Sequence, residues 1–391
     1  MIIKSLLDND LYKFTMLQAF LHYEEKSVAR YEYRCRTRNI DLSNIFNDLN
    51  IEIGKLCQLK FTEEELKYLS SLSFIKQPFI NFLREFKLDS SLVSTSIGAN
   101  RELIISLTGP IVKVSLFEVP ILSIISQLYS TRKIDSDIAV KEGNKRLESK
   151  IDFIKNSLNN IAFIDFGTRR RYSLEWQDHV IGRIKNSPIS KCFVGSSNVY
   201  LAKKYNIMPV GTMAHEWIMA HAGVTDFRES NKLALRRWLD FYHGSLGIAL
   251  TDTYTTDSFL SDFDKDLSAK YEGLRHDSGD WKEWGEKVLQ HYEKFGIDTH
   301  KKKLIYSDSL NFDLISKINY EFKDKTSLLY GIGTNLTNDV GLFPLQIVIK
   351  MVECNGKPLI KISDDEGKVL CNDEEFKRKA IEYFKGKHFT D

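Results

Sequence analysis

Paired cysteines are what this 391-residue sequence most plainly lacks. Its five cysteines (Cys35, Cys57, Cys192, Cys354, Cys371) are odd in number, far apart and free of any C-x-x-C pair. That argues against a disulfide framework and against a zinc site, and it points to a reducing compartment. Net charge is nearly absent as well: 55 Lys and Arg against 53 Asp and Glu leave +2, so nothing global favours nucleic acid or an anionic membrane as partner. Any anion site has to be local. The N-terminus, Met1 to Asp8, carries acid where a secretory signal needs an apolar run, and no apolar stretch reads as long enough to span a bilayer. The expectation is a cytoplasmic protein. There is no internal repeat and no low-complexity linker. The zinc-protease pattern His-Glu-x-x-His also fails, because Met219 stands where its second histidine belongs and His221 lies off the required face.

What remains is a globular composition, 42% hydrophobic and 28% charged, in a chain long enough for more than one domain. Asn9 to Met16 leads into a helix through about Tyr23, on which Tyr12 reads as an ordinary helix-face aromatic. Arg30 to Arg36 alternates aromatic and charged residues with period two, as a half-buried strand does. Residues 41–92 read as short helices, with Thr62-Glu63-Glu64-Glu65 as a clear start. Leu103 to Ser106 and Val112 to Leu116, joined across Gly109-Pro110, read as paired strands, and Glu118 through Leu147 as one amphipathic helix with Pro120 in its first turn.

From residue 160 the rhythm changes. Short apolar runs recur at Ile161 to Phe166, Cys192 to Val194, Ile207 to Val210, Gly247 to Leu250, Tyr271 to Leu274, Leu304 to Tyr306 and Leu328 to Tyr330, each followed by a helical pattern. Strict strand–helix alternation implies a parallel sheet, and this many units suggests closure into an irregular (β/α) barrel, with an open doubly wound sheet as the alternative. Chemistry on such a barrel sits just past the C-terminal strand ends.

Those ends collect small, polar and charged residues: Phe166 to Arg171, Gly195 to Asn198, Thr251 to Tyr254, Arg275 to Asp280, Ser307 to Ser309 and Gly331 to Thr334. The stretch Pro209 to Trp217 stands out among them. It reads as a strand that breaks at Gly211 and reopens as a helix capped by Thr212, with His215 in the first turn. Unpaired N–H groups and the helix dipole favour anions there and keep an imidazole neutral, the state in which it can accept a phosphoryl group. The bland alternative is a capping or packing histidine. Asp252 reads either as the acceptor that orients His215 or as an N-cap. Of Arg169, Arg170 and Arg171, Arg169 is expected to face a ligand, and at least one other to be a solvated or ion-paired surface residue. The doublet His276-Asp277 could belong to a metal phosphohydrolase, but that site needs further ligands from other helices. Taken together, glycine and hydroxyl loops, arginines, carboxylates and one helix-start histidine suit a phosphorylated sugar.

These motifs, with Asn9 to Met16, Phe166-Gly167-Thr168-Arg169-Arg170, Gly211 to Trp217, Gly273 to Asp280 and Gly331 to Asn335, strongly resemble the nicotinate phosphoribosyltransferase family over nearly the whole chain. The resemblance implies a type II phosphoribosyltransferase barrel over 131–340 and an N-terminal α+β domain over 1–130, to which the segment 341–391 returns. It implies that nicotinate is joined to ribose C1 of phosphoribosyl pyrophosphate (PRPP), with ATP hydrolysis coupled through a phosphohistidine at His215, in NAD biosynthesis. Phe166 and Tyr12 match the aromatics that sandwich the pyridine, with Tyr12 reaching in from the other subunit of a homodimer. Arg169 and Arg275 match arginines around base and phosphates. Asp277 and Asp308 match groups near ribose and Mg²⁺, and Gly331 and Gly333 the 5′-phosphate loop. Ser197 replaces an acid of the nicotinamide-using branch, and its hydroxyl can donate to a carboxylate, which favours nicotinate. Asn338 replaces a basic residue of that branch, with Lys350 as a substitute. A nicotinamide- or quinolinate-using relative and a non-catalytic ligand-sensing barrel remain as alternatives.

Overall fold

The computed structural model describes residues 1–158, 160–365 and 367–386. Its first sheet is built on β1 (Val28–Cys35), where Ala29, Tyr31 and Tyr33 point inward and their neighbours outward, the period-two pattern of a half-buried strand. β1 pairs antiparallel with β3 (Leu103–Pro110), which pairs in turn with β2 (Val93–Ile97). The expected Gly109-Pro110 hairpin does not form. β3 runs through both residues, and Ile111–Val114 is already helical. Val112-Lys113-Val114-Ser115-Leu116 alternates apolar and polar residues as a strand would, yet Ile111, Val112, Val114, Leu116 and Phe117 are buried in a helical run, where tertiary packing overrides the period-two pattern.

The continuous helix expected from Glu118 to Leu147 is two helices, Glu118–Lys133 and Ser136–Ser157. Asp135 makes the break by turning extended and accepting from the N–H groups of Asp137 and Ile138. One apolar run does reach bilayer-spanning length, against the sequence expectation: Ile111–Lys133 contains an 18-residue window of mean hydropathy 1.7, 83% of which is buried in the fold. Its apolarity is that of a core helix. The Thr62 start is as read, with Thr62 and Glu65 closing a reciprocal capping box.

All seven apolar runs beyond residue 160 are strands, with edges shifted by at most two residues: β4 (Phe163–Asp165), β5 (Phe193–Ser196), β6 (Met208–Pro209), β7 (Ile248–Leu250), β8 (Gly273–His276), β9 (Lys303–Tyr306) and β10 (Ser327–Ile332). They form one parallel sheet in the order β6-β5-β4-β10-β9-β8-β7. The first strand therefore lies beside the last, Tyr330 opposite Phe163, and each other neighbour is a sequence neighbour. That order belongs to a singly wound barrel, not to a doubly wound sheet. The barrel is irregular because β6 and β7 share no ladder. The Thr212 hydroxyl spans the gap by donating to the Ile248 carbonyl at 2.7 Å.

β11 (Ile347–Cys354) then returns to the first sheet and pairs with β1 from Ala29↔Cys354 to Cys35↔Ile347, with β12 (Lys357–Pro358) on its outer edge. The Leu11–Tyr23 helix joins the two sheets. It is buried on every side from Leu11 through Phe20, and its polar members Lys13, Thr15 and Gln18 all find partners. Leu11 N–H donates to Ser197 O at 2.8 Å and Thr15 Oγ1 to Thr212 O at 2.6 Å, so the helix start is hydrogen-bonded onto the barrel rim.

Candidate active site

A cavity opens at the C-terminal strand ends, roofed by the first sheet and the Leu11–Tyr23 helix. Phe166, Ser197, Asp277, Ser307 and Gly333 reach it from just beyond β4, β5, β8, β9 and β10, Arg275 from β8 itself, and Tyr31 and Lys350 from β1 and β11. The strand ends predicted to carry chemistry therefore converge on one space.

His215 is the first residue of the His215–Val224 helix, and Ala214 before it provides no side-chain cap. Thr212, expected as that cap, is spent on the β6–β7 gap instead. The N–H groups of His215 and Glu216 therefore keep their capacity for an anion, while Trp217 N–H donates to Ala214 O at 3.0 Å. His215 is 5% exposed, and its Nε2 lies 2.9 Å from Asp252 Oδ1. Burial, reinforced by Lys361, lowers His215 to about 4 against the pull of Asp252. The ring is thus neutral near pH 7. Burial alone would raise Asp252, but Lys361 and His215 outweigh it and hold this carboxyl well below the usual range. An ionised carboxylate only accepts, so the proton of the neutral ring sits on Nε2 and Nδ1 keeps its lone pair. Neither His215 nor Asp252 caps a helix. His215 pairs with Asp252, and the nearest helix start after Asp252 is capped by Thr255.

Tyr12 and Phe166 line the same cavity. The resemblance implied that Tyr12 arrives from a second subunit, yet the structure puts it in the cavity of its own chain. The Leu11–Ser197 hydrogen bond and the Asp10↔Asn198 bridge hold the helix start there. Gly331 is not at the cavity wall. A Cβ there would come within 2.4 Å of the Phe166 ring, so this glycine makes room for the aromatic. Gly333 does line the cavity, and an adjoining groove shares it together with Arg170, Ser307, Thr334, Asn335 and Asn338.

Arg169 faces the cavity as expected, 3.8 Å from Asp10 and 3.6 Å from Glu118, with its guanidinium 6.0 Å from the Tyr12 ring centre. Arg170 faces it too. Arg171 is ion-paired but not on the surface: fully buried, it grips both Asp8 oxygens at 2.6 and 2.7 Å. Ser197 donates to Asp10 Oδ1 at 2.7 Å, so its hydroxyl proton is already committed. Asn338 donates to the Arg170 carbonyl, whereas Lys350 turns its ammonium to the cavity, where burial lowers it to about 8.

Arg275 spans the cavity wall between the Met213 carbonyl at 3.4 Å and Asp277 at 4.0 Å. Asp277 lies 3.7 Å from His215 and accepts from Ser307. Asp308 is set apart from the cavity wall, and burial, with the charge of Asp277 adding to it, raises its carboxyl. Asp308 feels the charge of Asp277, and both residues carry the hard carboxylate oxygens that a divalent cation takes. His215, Asp252 and Asp277 also converge within 4.8 Å, but Asp252 is already held by His215, Ser278 and Lys361.

Sequence reasoning missed several groups. Lys361 had no motif to mark it, and Lys13 was passed over inside the Asn9 to Met16 motif, although its buried ammonium lies between Glu216 and Glu118 (2.6 Å) behind the cavity. Tyr31 donates to the same Glu216 at 2.6 Å. Asp10 stood inside the Asn9 to Met16 motif and was legible there.

Residues 161–388 match the nicotinate phosphoribosyltransferase (NAPRTase) family, and residues 7–126 match the family's N-terminal domain. The chain is 45% identical over 386 residues to a nicotinate phosphoribosyltransferase of Acinetobacter baumannii, covering 96% of this chain and 95% of that one. It is 43% identical over 376 residues to one from Xanthomonas axonopodis pv. citri, covering 95% of each. A crystal structure of nicotinate phosphoribosyltransferase from Vibrio cholerae superposes with a TM-score of 0.93 at 35% identity, over 98% of this chain and 94% of that one. That of a putative nicotinate phosphoribosyltransferase from Saccharomyces cerevisiae gives 0.90 at 33% identity, over 100% and 99%.

Proposed function

The chain belongs to the nicotinate phosphoribosyltransferase family, and from that premise we propose that it makes nicotinate mononucleotide and pyrophosphate from nicotinate and PRPP, coupled to ATP hydrolysis through a phosphohistidine at His215. In this reading nicotinate stacks between Tyr12 and Phe166, its ring nitrogen aimed at ribose C1. The C1–oxygen bond to pyrophosphate breaks through an oxocarbenium-like state as the ring nitrogen bonds to C1. Arg275, Arg170 and Lys350 meet the anionic groups, and Gly333 lets the 5′-phosphate approach the backbone. Asp277 and Asp308 would hold Mg²⁺, which when bound neutralises pyrophosphate charge.

The observation that carries the coupling is the neutral His215 at an uncapped helix start, its Nε2–H committed to Asp252. Its Nδ1 lone pair attacks the γ-phosphorus of ATP, the bond to the bridging oxygen breaks, and ADP leaves with that electron pair. The imidazolium so formed keeps its Nε2 proton against Asp252. Water later attacks phosphorus, releases phosphate and restores the ring. The added charge at the helix start orders the phosphate-facing loops while it lasts.

Incubation with γ-labelled ATP tests this: label on the protein should be lost in acid and survive base. His215→Asn should abolish labelling and ATP stimulation while some transfer persists, and equal ATP-stimulated rates in both proteins would sink the coupling. With Ser197 committed to Asp10, the choice of base falls to Arg169, Arg170 and Lys350. Nicotinate should therefore outcompete nicotinamide in a mixed assay. We propose a homodimer as well, although Tyr12 does not need it, and the hydrodynamic mass in solution decides that.

A further inference from the structure

Asp252 is held from behind by a segment C-terminal to the last of the sequence motifs, Gly331 to Asn335. Lys361, 7% exposed, donates to Asp252 Oδ2 at 2.8 Å, and Ser278 Oγ donates to the same oxygen at 2.7 Å. The other oxygen, Oδ1, is left to His215. The segment is tied down locally. Lys361 and Leu370 exchange backbone hydrogen bonds at 3.1 and 2.9 Å, and Ile362 N–H donates to Thr253 O at 2.9 Å, one residue beyond Asp252. Ser363 Oγ donates to Ser278 Oγ at 2.9 Å, and Asp364 N–H donates to it at 3.1 Å. The Asp364 carboxylate closes the ring by accepting from Thr256 N–H and Oγ1. Residues 361–364 thus buttress Asp252 both directly and through Ser278.

We propose that Lys361 is a positioning residue for the phosphoryl-accepting histidine: by fixing the far oxygen of Asp252, it fixes the orientation of the His215 ring and directs phosphorylation to Nδ1. The inference rests on the proposed phosphohistidine. A carboxylate anchored at one oxygen can offer the other in only one direction, and a ring that donates Nε2–H in that direction presents Nδ1 to the cavity. Without the lysine, Asp252 can rotate, and the ring can donate through either nitrogen. The buried carboxylate keeps Ser278 and His215 as partners, so the fold does not depend on the lysine alone.

The test is phosphoryl transfer from γ-labelled ATP to wild type, Lys361→Met and Lys361→Arg, with the phosphohistidine isomers resolved by ³¹P NMR. In Lys361→Met, single-turnover labelling should fall about tenfold or more, the range seen when the partner of an orienting group is removed. Nicotinate mononucleotide formation without ATP should fall less. The label, on Nδ1 in the wild type, should divide between the two nitrogens, and Lys361→Arg should restore most of the rate and the Nδ1 preference. Ser278→Ala should shift the isomer ratio the same way by a smaller amount, a second reading should Lys361→Met fold poorly. Wild-type labelling confined to Nδ1 in both Lys361→Met and Ser278→Ala would overturn the inference and leave the phosphohistidine standing. A wild type that takes no label would overturn both.

Discussion

The cavity has two ends built on opposite plans. At the phosphoryl end, Asp252 is fully buried and is held by His215, Lys361 and Ser278 at 2.7 to 2.9 Å. At the base end, Arg169 is half-exposed, with its acidic neighbours at 3.6 and 3.8 Å and one face toward the Tyr12 ring. The difference follows from what each end is proposed to do. A nucleophile has to be aligned before its partner arrives, because misplacement by an ångström costs orders of magnitude in rate. A cation that awaits an anionic ligand has to stay weakly paired, because a strong partner would have to be displaced first.

Acid should separate the two ends most strongly. His215 protonates near 4 in the folded chain and near 6.5 when unfolded, so the unfolded state binds the proton first as pH falls. Stability from this group is therefore present above pH 6.5, declines below it and levels off near pH 4, a loss on the order of 3 kcal/mol. Asp10 has the opposite sign: burial raises its carboxyl, so lowering the pH relieves a penalty. Urea unfolding from pH 8 to 4.5 should show a decline that is shallower in His215→Asn, and identical slopes would break the contrast. Asp252→Asn should lower ATP-stimulated turnover by about 100-fold or more, because the amide no longer fixes the tautomer. Phe166→Ala should raise the KM for nicotinate about tenfold, the worth of one stacked aromatic, and leave His215 labelling intact. Ser197→Ala should change the KM for nicotinate by only about twofold, since its hydrogen bond to Asp10 is internal. A loss as large as that of Phe166→Ala would restore the serine as the selector of the base.

Much of this was legible because barrels are periodic. Each apolar run after residue 160 is a strand, and most polar clusters after them reach the cavity or the adjoining groove, whereas Thr251 to Tyr254 is buried behind His215. The failures have local causes. Val112 to Leu116 alternates apolar residues with Lys113 and Ser115, a strand-like period in a run that tertiary packing made helical. Thr212 looked like a cap because its chemistry is that of a cap, but an unpaired carbonyl on β7 claimed it first. Gly331 sat in a phosphate-loop motif, yet a ring from the neighbouring strand end occupies the space beside it.

What the sequence determined by itself is the run of strands, the helix start at His215 and the motifs that mark the family, since each depends on residues a few positions apart. Only the tertiary structure decided which groups are charged, committed or free. Asp252 meets Lys361 across 109 residues, Asp10 meets Ser197 across 187, and Lys13 meets Glu216 across 203. Desolvation and Coulomb attraction act through space, so the protonation of His215 and the occupied hydroxyl of Ser197 exist only once the chain has folded.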